Sequence, residues 1–250
     1  MIIRNVHELR SRYHELDAGD AFVGYLSLRQ EEQFKVLDLL HRGIRFYPSL
    51  LSQFLSRSKV LQADILKQFM LPDTFVAYRG YDLIHNLERY CQYEKIVCKR
   101  DRKHLGRGVS SWSSLEELQS LDAMDALKYP LVIQPFLEDA RDFRVVIIDS
   151  YVEVYERVNP HTFRKNLAQK GTARSIRADD RLKAFCEKIM HRGDFPYALL
   201  DVLLGRDNRY YLSEISLLGG LRGSRIGQEG FMKLKTRLED EFCSSISIRD

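Results

Sequence analysis

The stretch ALLDVLLGRDNRYYLSEIS, residues 198–216, puts two acidic side chains inside otherwise apolar runs. Asp201 sits in the middle of the first run and Glu214 in the second, with a polar turn between them. Asp207-Asn208 suits a two-residue type I′ hairpin turn, because both residue types tolerate positive φ. A turn there sets Asp201 directly opposite Glu214. Moving it to Arg206-Asp207 changes the partner to Leu212 but leaves Glu214 on the same face, together with Ser216 two residues on. Directly paired Cβ atoms lie about 4.5–5.5 Å apart. Two carboxylates that close among leucines repel each other and are costly to desolvate, so something must compensate them. A divalent cation does so, and Mg²⁺ commonly takes one or two protein carboxylates with phosphate and water completing its shell. A buried ion pair with Arg222 or Arg225 does so equally well, and the hairpin alone leaves both readings open.

Around this hairpin, helices and strands are interspersed, which gives an α+β (α/β) chain. Toward the C-terminus, residues 228–246 read as a last helix, and 178–192 as another before the hairpin. FRVVIID (143–149) and YVEVYERV (151–158) read as a second hairpin around Asp149-Ser150, preceded by strands at 131–138 and 95–100. Between those strands lie the turn HLGRGV (104–109) and a helix over 113–121, with Ser113 or Ser114 as cap and Glu116 or Glu117 closing a capping box. Further back, a strand near 74–78 follows helical spacing over 49–71, which suits two helices. Residues 31–43 form an amphipathic helix stopped by Gly43, residues 21–28 a buried strand, and residues 1–18 a polar helix.

The 250 residues are 44% hydrophobic and 30% charged, a composition that fits one large or two small globular domains. No apolar run of about 18 residues predicts a membrane span, and the charged N-terminus lacks the apolar stretch of a secretory signal. None of the four cysteines forms a Cys-x-x-Cys pair, which argues against a zinc knuckle or redox motif and suits a reducing, cytoplasmic setting. The net charge of +4 is mild. Its distribution is not: six basic residues and no acidic one fall between Arg157 and Arg177. A solvated basic face and an anion-binding segment both fit that run.

Six segments in order resemble the ATP-grasp superfamily, particularly the RimK-type and glutathione-synthetase-like ligases. They are SRSKVLQADILKQFMLPDT (56–74), IVCKRDRKHLGRGV (96–109), VIQPFLEDARDFRVVII (132–148), FRKNLAQKGTA (163–173), the Asp201/Glu214 hairpin and the GLRG that follows it. The likeness spans about residues 43–227. It implies an ATP-grasp fold of two α+β lobes clasping ATP. Residues 1–48 would be a shortened N-terminal region, and residues 49–250 the ATP-grasp domain, with the glycine-loop lobe at about 95–135 and the metal-binding core at 136–250.

The resemblance also implies roles. Lys59 and Lys99 would neutralise ATP phosphates, and Gly106 and Gly108 would let the loop backbone close over them. Gln134, Phe136 and Leu137 would form the adenine hinge with Phe136 as the N–H donor, and Asp142 would hold the ribose. Arg164, Asn166 and Arg144 would act on the transferred phosphoryl group. Asp201, Glu214 and Ser216 would hold Mg²⁺ (or Mn²⁺). The implied reaction is ADP-forming ligation of a carboxylate to an amine through an acyl phosphate, with an amino acid, peptide or related small carboxylate as substrate.

Two departures stand out. Glu-Ile-Ser replaces the family's Glu-x-Asn, and only 58 residues precede Lys59, so a homodimer can be what completes the substrate side. A small-molecule kinase and a non-catalytic nucleotide-binding relative are the competing readings. A nucleic-acid module ranks low: 13 tyrosines and 13 phenylalanines accompany the basic run, but no recognition motif does.

Overall fold

The computed structural model describes residues 1–103, 108–159 and 171–247, which form an α+β chain with three sheets. The first is parallel, in the order β1 (Ile2–Ile3), β2 (Ala21–Val23), β3 (Arg45–Tyr47), with α1 (Val6–Ser11) and α2 (Phe34–His41) in the connections. Parallel strands need cover on both faces. Phe22 packs with Leu9, Val36 and Leu39 on one side, while Ala21 and Val23 pack against Ile246 of α8 (Gly227–Ser247) on the other.

Two expectations change here. Residues 1–18 are not one helix, because Ile3 is wholly buried as a strand residue and Asn5 caps a helix of only six residues. The strand expected over 21–28 stops at Val23, where Gly24 turns away at φ 129° and its N–H donates to the Tyr47 carbonyl at 2.7 Å.

The helical stretch 49–71 does split in two. The Ser49 hydroxyl caps α3 (Leu50–Arg57), and the Ser58 hydroxyl caps α4 (Lys59–Ile65). A four-stranded antiparallel sheet follows in the order β4 (Phe75–Ala77), β7 (Leu131–Pro135), β5 (Ile96–Arg100), β6 (Val109–Trp112). It is covered by α5 (Gly80–Tyr90) and α6 (Leu115–Ala123), with Leu83, Tyr90, Leu115 and Leu118 packed on Ile96, Cys98, Leu131 and Ile133. α5 carries little sequence signal, because polar residues outnumber the narrow stripe Leu83, Leu87 and Tyr90. Ser114 is the cap of α6, and Glu117 accepts the N–H of Ser113, the residue before the cap, at 3.1 Å, so the expected reciprocal box is not closed.

The third sheet is antiparallel, in the order β10 (Thr172–Ile176), β9 (Tyr151–Val158), β8 (Arg141–Ile148), β11 (Tyr197–Leu204), β12 (Tyr210–Ser216). The β8–β9 turn is Asp149-Ser150 as expected, with Asp149 at φ 51°. The main core lies beneath this sheet, where α7 (Asp180–Gly193) buries Leu182, Cys186 and Ile189 and α8 buries Phe231.

β12 is an edge strand, yet its outer edge is not bare. The Gln62 amide donates to the Ile215 carbonyl at 2.9 Å and accepts the Ile215 N–H at 3.1 Å, much as a neighbouring strand would. Ser56 Oγ accepts the Leu217 N–H at 2.9 Å. Two buried side chains of α3 and α4 thus supply the pairing that the ladder lacks.

Candidate active site

The β11–β12 hairpin brings Asp201 and Glu214 into direct register. Its turn is not the two-residue turn at Asp207-Asn208. Gly205 N–H donates to the Arg209 carbonyl at 3.0 Å, so the loop holds Arg206, Asp207 and Asn208, with Asn208 at φ 58°. Left alone, that turn would pair Asp201 with Ser213. A bulge next to Asp201 leaves Ser213 as the extra residue and restores Glu214 as the partner. Ser213 then serves elsewhere: its carbonyl and hydroxyl accept from Lys99 Nζ at 3.1 and 3.2 Å.

Neither Arg222 nor Arg225 compensates the facing carboxylates. Arg225 pairs with Glu153 instead. Glu214 meets Lys59, whose Nζ lies 3.0 Å from Glu214 Oε1 and also donates to the Lys103 carbonyl at 2.9 Å. Asp201 meets two guanidinium groups, Arg144 Nε at 2.5 Å and an Arg157 terminal nitrogen at 3.2 Å. The Arg144 Nε contact is not aligned as a hydrogen bond, so Asp201 Oδ1 is buried without a hydrogen-bond partner. Burial pushes the Asp201 carboxyl up, but Arg144 and Arg157 together outweigh it and hold it below its ordinary value. Arg157, in turn, is destabilised as a cation by burial and restored by Asp201 and Asp142, with a net rise.

Lys99 projects from β5 and is as buried as Lys59, each at 7% exposure. Burial brings its ammonium down to about 8, against the pull of Glu214 and with the help of repulsion from Lys59. The cluster therefore holds four cations (Lys59, Lys99, Arg144, Arg157) and three carboxylates (Asp142, Asp201, Glu214). With all of them ionised there is a surplus positive charge in a low-dielectric setting, which suits an anionic ligand.

The remaining expected residues fall as follows. Gln134 is buried in β7, but the Phe136 N–H donates to the Lys95 carbonyl at 2.9 Å, extending the β5–β7 ladder, and so is not free to read a base. Asp142 accepts from Arg157 Nε at 2.7 Å and stands within the ion-pair network rather than alone. Gly108 sits where an added Cβ would lie 2.4 Å from Lys103 Cβ, so the β5–β6 connection closes only because it has no side chain. Ser216 shares the face of Glu214 and lies opposite Leu199, two residues along β11 from Asp201. Gly106, Arg164 and Asn166 lie outside the described residues.

Arg157, Gln62 and Ser213 were not among the expected site residues. Arg157 was visible as the first member of the basic run, and the period of two along β9 puts it on one face with Glu153 and Tyr155, but only pairing with β8 shows that it meets Asp142. The bulge that frees Ser213 has no sequence signal that we can identify.

A family model for the RimK-like ATP-grasp domain matches residues 53–238. The chain belongs to the RimK-like ATP-grasp family. The coenzyme gamma-F420-2:alpha-L-glutamate ligase of Methanocaldococcus jannaschii is 25% identical over 191 residues, which cover 73% of this chain and 65% of the relative. The chain thus spans just under two thirds of that relative's length. Among solved structures, D-cycloserine synthetase DcsG superposes with a TM-score of 0.61 at 13% identity, over 88% of this chain and 83% of the other. D-alanine–D-alanine ligase from Bacillus anthracis gives 0.60 at 15% identity, over 95% and 86%. Both likenesses establish the ATP-grasp fold. Among the described residues of this RimK-like chain, no helix is long and apolar enough to cross a membrane.

Proposed function

We propose that this chain is an ADP-forming ligase that activates a carboxylate as an acyl phosphate and joins it to an amine. The observation that carries the reading is the convergence of Lys59 and Lys99, from α4 and β5, on the carboxylate hairpin of another sheet. In this reading Lys59 and Lys99 bind the phosphates of ATP. Leu137 takes over from Phe136 as the hinge donor, since its N–H has no hydrogen-bond partner among the described residues. Gln134 backs the hinge, Asp142 borders the ribose, and Gly106 and Gly108 shape the phosphate loop.

Mg²⁺ (or Mn²⁺) fits the donor set of Asp201, Glu214 and Ser216: all are oxygen ligands on one face, and Asp201 Oδ1, ion-paired with Arg144 and Arg157 but without an aligned hydrogen bond, keeps a lone pair to give. When bound, such an ion would neutralise charge on the β- and γ-phosphates. The chain's own residues do the rest. Arg144 and Arg157 keep Asp201 ionised. Arg144, Arg164 and Asn166 draw charge from the transferred phosphoryl group. The substrate carboxylate oxygen bonds to the γ-phosphorus as the bond to the ADP oxygen breaks. The amine then attacks the acyl carbon, phosphate leaves, and the amine gives up a proton to solvent.

Residues 1–48 are read as the region that precedes the ATP-grasp domain, and 49–250 as that domain. The substrates are a small carboxylate and an amine, an amino acid or peptide among them, with a homodimer completing the substrate side and a cytoplasmic setting suited to four free thiols. Ser216 in place of an amide ligand, and carboxylates already matched by cations, favour a second reading as a nucleotide-binding relative without turnover. Measuring ADP release against amino acids and short peptides tests the first. Calorimetric ATP binding without ADP release under any substrate pair would favour the second, and no ATP binding would dismiss both.

A further inference from the structure

We propose that Asp101 is a positioning residue of the nucleotide site, an inference that rests on the reading of Lys59 and Lys99 as phosphate ligands. Two buried ammonium groups repel each other, and Lys59 makes the charged form of Lys99 less favourable. Holding α4 against the end of β5 therefore requires a tie. Asp101, two residues beyond Lys99, supplies it. The Ser58 hydroxyl donates to both Asp101 carboxylate oxygens, at 3.0 and 3.1 Å, and the Val60 N–H donates to Oδ1 at 3.3 Å. Ser58 and Val60 flank Lys59.

The tie does more than cap a helix. Ser58 already caps α4 from within, since its Oγ accepts the Leu61 N–H at 3.1 Å. The Ser58 proton is thereby aimed at Asp101, giving a relay of donors from the helix start into the β5 sheet. The second attachment is the Lys103 carbonyl on Lys59 Nζ at 2.9 Å. Asp101 thus holds the start of the helix and the Lys103 carbonyl the lysine head group. Asp101 is only 15% exposed, so its bonds are shielded from competing water, whereas its other cationic neighbour, Arg102, is 64% exposed at 3.6 Å. Ser58 itself is buried at 5% exposure. Without the carboxylate, repulsion between the lysines is free to swing the start of α4 away from β5, and the two ammonium groups no longer meet one triphosphate.

The test is a double-substitution cycle on the full chain, read by calorimetric titration with ATP and Mg²⁺. Asp101→Ala is expected to weaken ATP binding about tenfold in the otherwise native chain, the scale of one lost charge-assisted bond. In the Lys59→Met background the same change is expected to cost less than about twofold, because the group that it positions is gone. Asp101→Asn keeps an acceptor oxygen for Ser58 and Val60 and is expected to restore most of the affinity. Native affinity in Asp101→Ala would overturn the proposal, and so would an equal loss in both backgrounds, which would mark a stabiliser that acts apart from Lys59. If Asp101→Ala does not fold, Ser58→Ala takes its place in the cycle with an expected loss of about threefold. A native chain that binds no ATP would remove the nucleotide reading and this inference with it. Binding that is insensitive to Asp101 would remove this inference alone.

Discussion

Asp201 and Glu214 stand directly opposite each other on β11 and β12, yet each is neutralised by a different cation set. Asp201 faces two arginines from its own sheet, whereas Glu214 faces Lys59 from α4. This asymmetry predicts unequal costs of removal. Asp201→Asn in EDTA is expected to lose about 3–5 kcal/mol in urea unfolding, since it strands buried guanidinium groups. Glu214 is one-third exposed, and Lys59 keeps the Lys103 carbonyl, so Glu214→Gln is expected to lose only about 1–2 kcal/mol. Equal losses, or a gain for Glu214→Gln, would show that the cations do not compensate the pair.

Lys99 carries a pH signature. Its ammonium is brought down to about 8 by burial, with Lys59 assisting and Glu214, Asp201 and Asp142 opposing. Because the folded value lies below the ordinary lysine value, the native chain sheds this proton first, and stability rises between about pH 8 and the unfolded value near 10.4. Phosphate binding needs the charged form. ATP affinity is therefore expected to fall as pH rises through about 8, and Lys99→Arg is expected to flatten that fall. Calorimetry from pH 7 to 9.5 checks both, and an unchanged profile in Lys99→Arg would place the titration elsewhere.

Gln62→Leu is expected to cost about 2–3 kcal/mol in urea unfolding, because the Ile215 N–H and carbonyl lose their partners while remaining buried. ATP affinity is expected to fall with it, since β12 carries Glu214. A variant with unchanged stability would mean that the edge of β12 finds other partners.

Gly108→Ala and Gly220→Ala form a matched pair. The first places a methyl 2.4 Å from Lys103 Cβ, while the second meets nothing within 4 Å. Gly108→Ala is expected to lose about 1–3 kcal/mol and to weaken ATP binding, with Gly220→Ala neutral within about 0.5 kcal/mol. Thermal unfolding with and without ATP distinguishes them.

The parts of this chain legible in its sequence are those fixed locally. Ser113-Ser114 announces a helix start, the spacing over 49–71 two helices, Asp149-Ser150 a tight turn, and the Asp201/Glu214 pair a shared strand face. The family resemblance drawn from the motifs held, and so did the fold it implied. What escaped depends on partners far along the chain. That Phe136 spends its N–H on Lys95, and Asp142 its carboxylate on Arg157, follows only from strand pairing. The cations facing the two carboxylates are illegible for the same reason: Arg222 and Arg225 lie nearby in sequence, but the actual partners lie on α4, β8 and β9. Even the correct pairing of Asp201 with Glu214 was reached through the wrong turn, with a bulge making up the difference.

The side chains that complete the edge of β12 have a consequence for the order of assembly. Gln62 and Ser56 meet their partners across 153 and 161 residues of chain, and Lys59 meets Glu214 across 155. During synthesis α3 and α4 leave the ribosome long before the hairpin that they are shaped to receive, so their buried polar groups wait in water for a late arrival. Contacts of such sequence separation form slowly. Lys59 and Lys99 thus reach their final partners near the end of folding, and a nascent chain stopped before residue 210 lacks the strand that both of them meet.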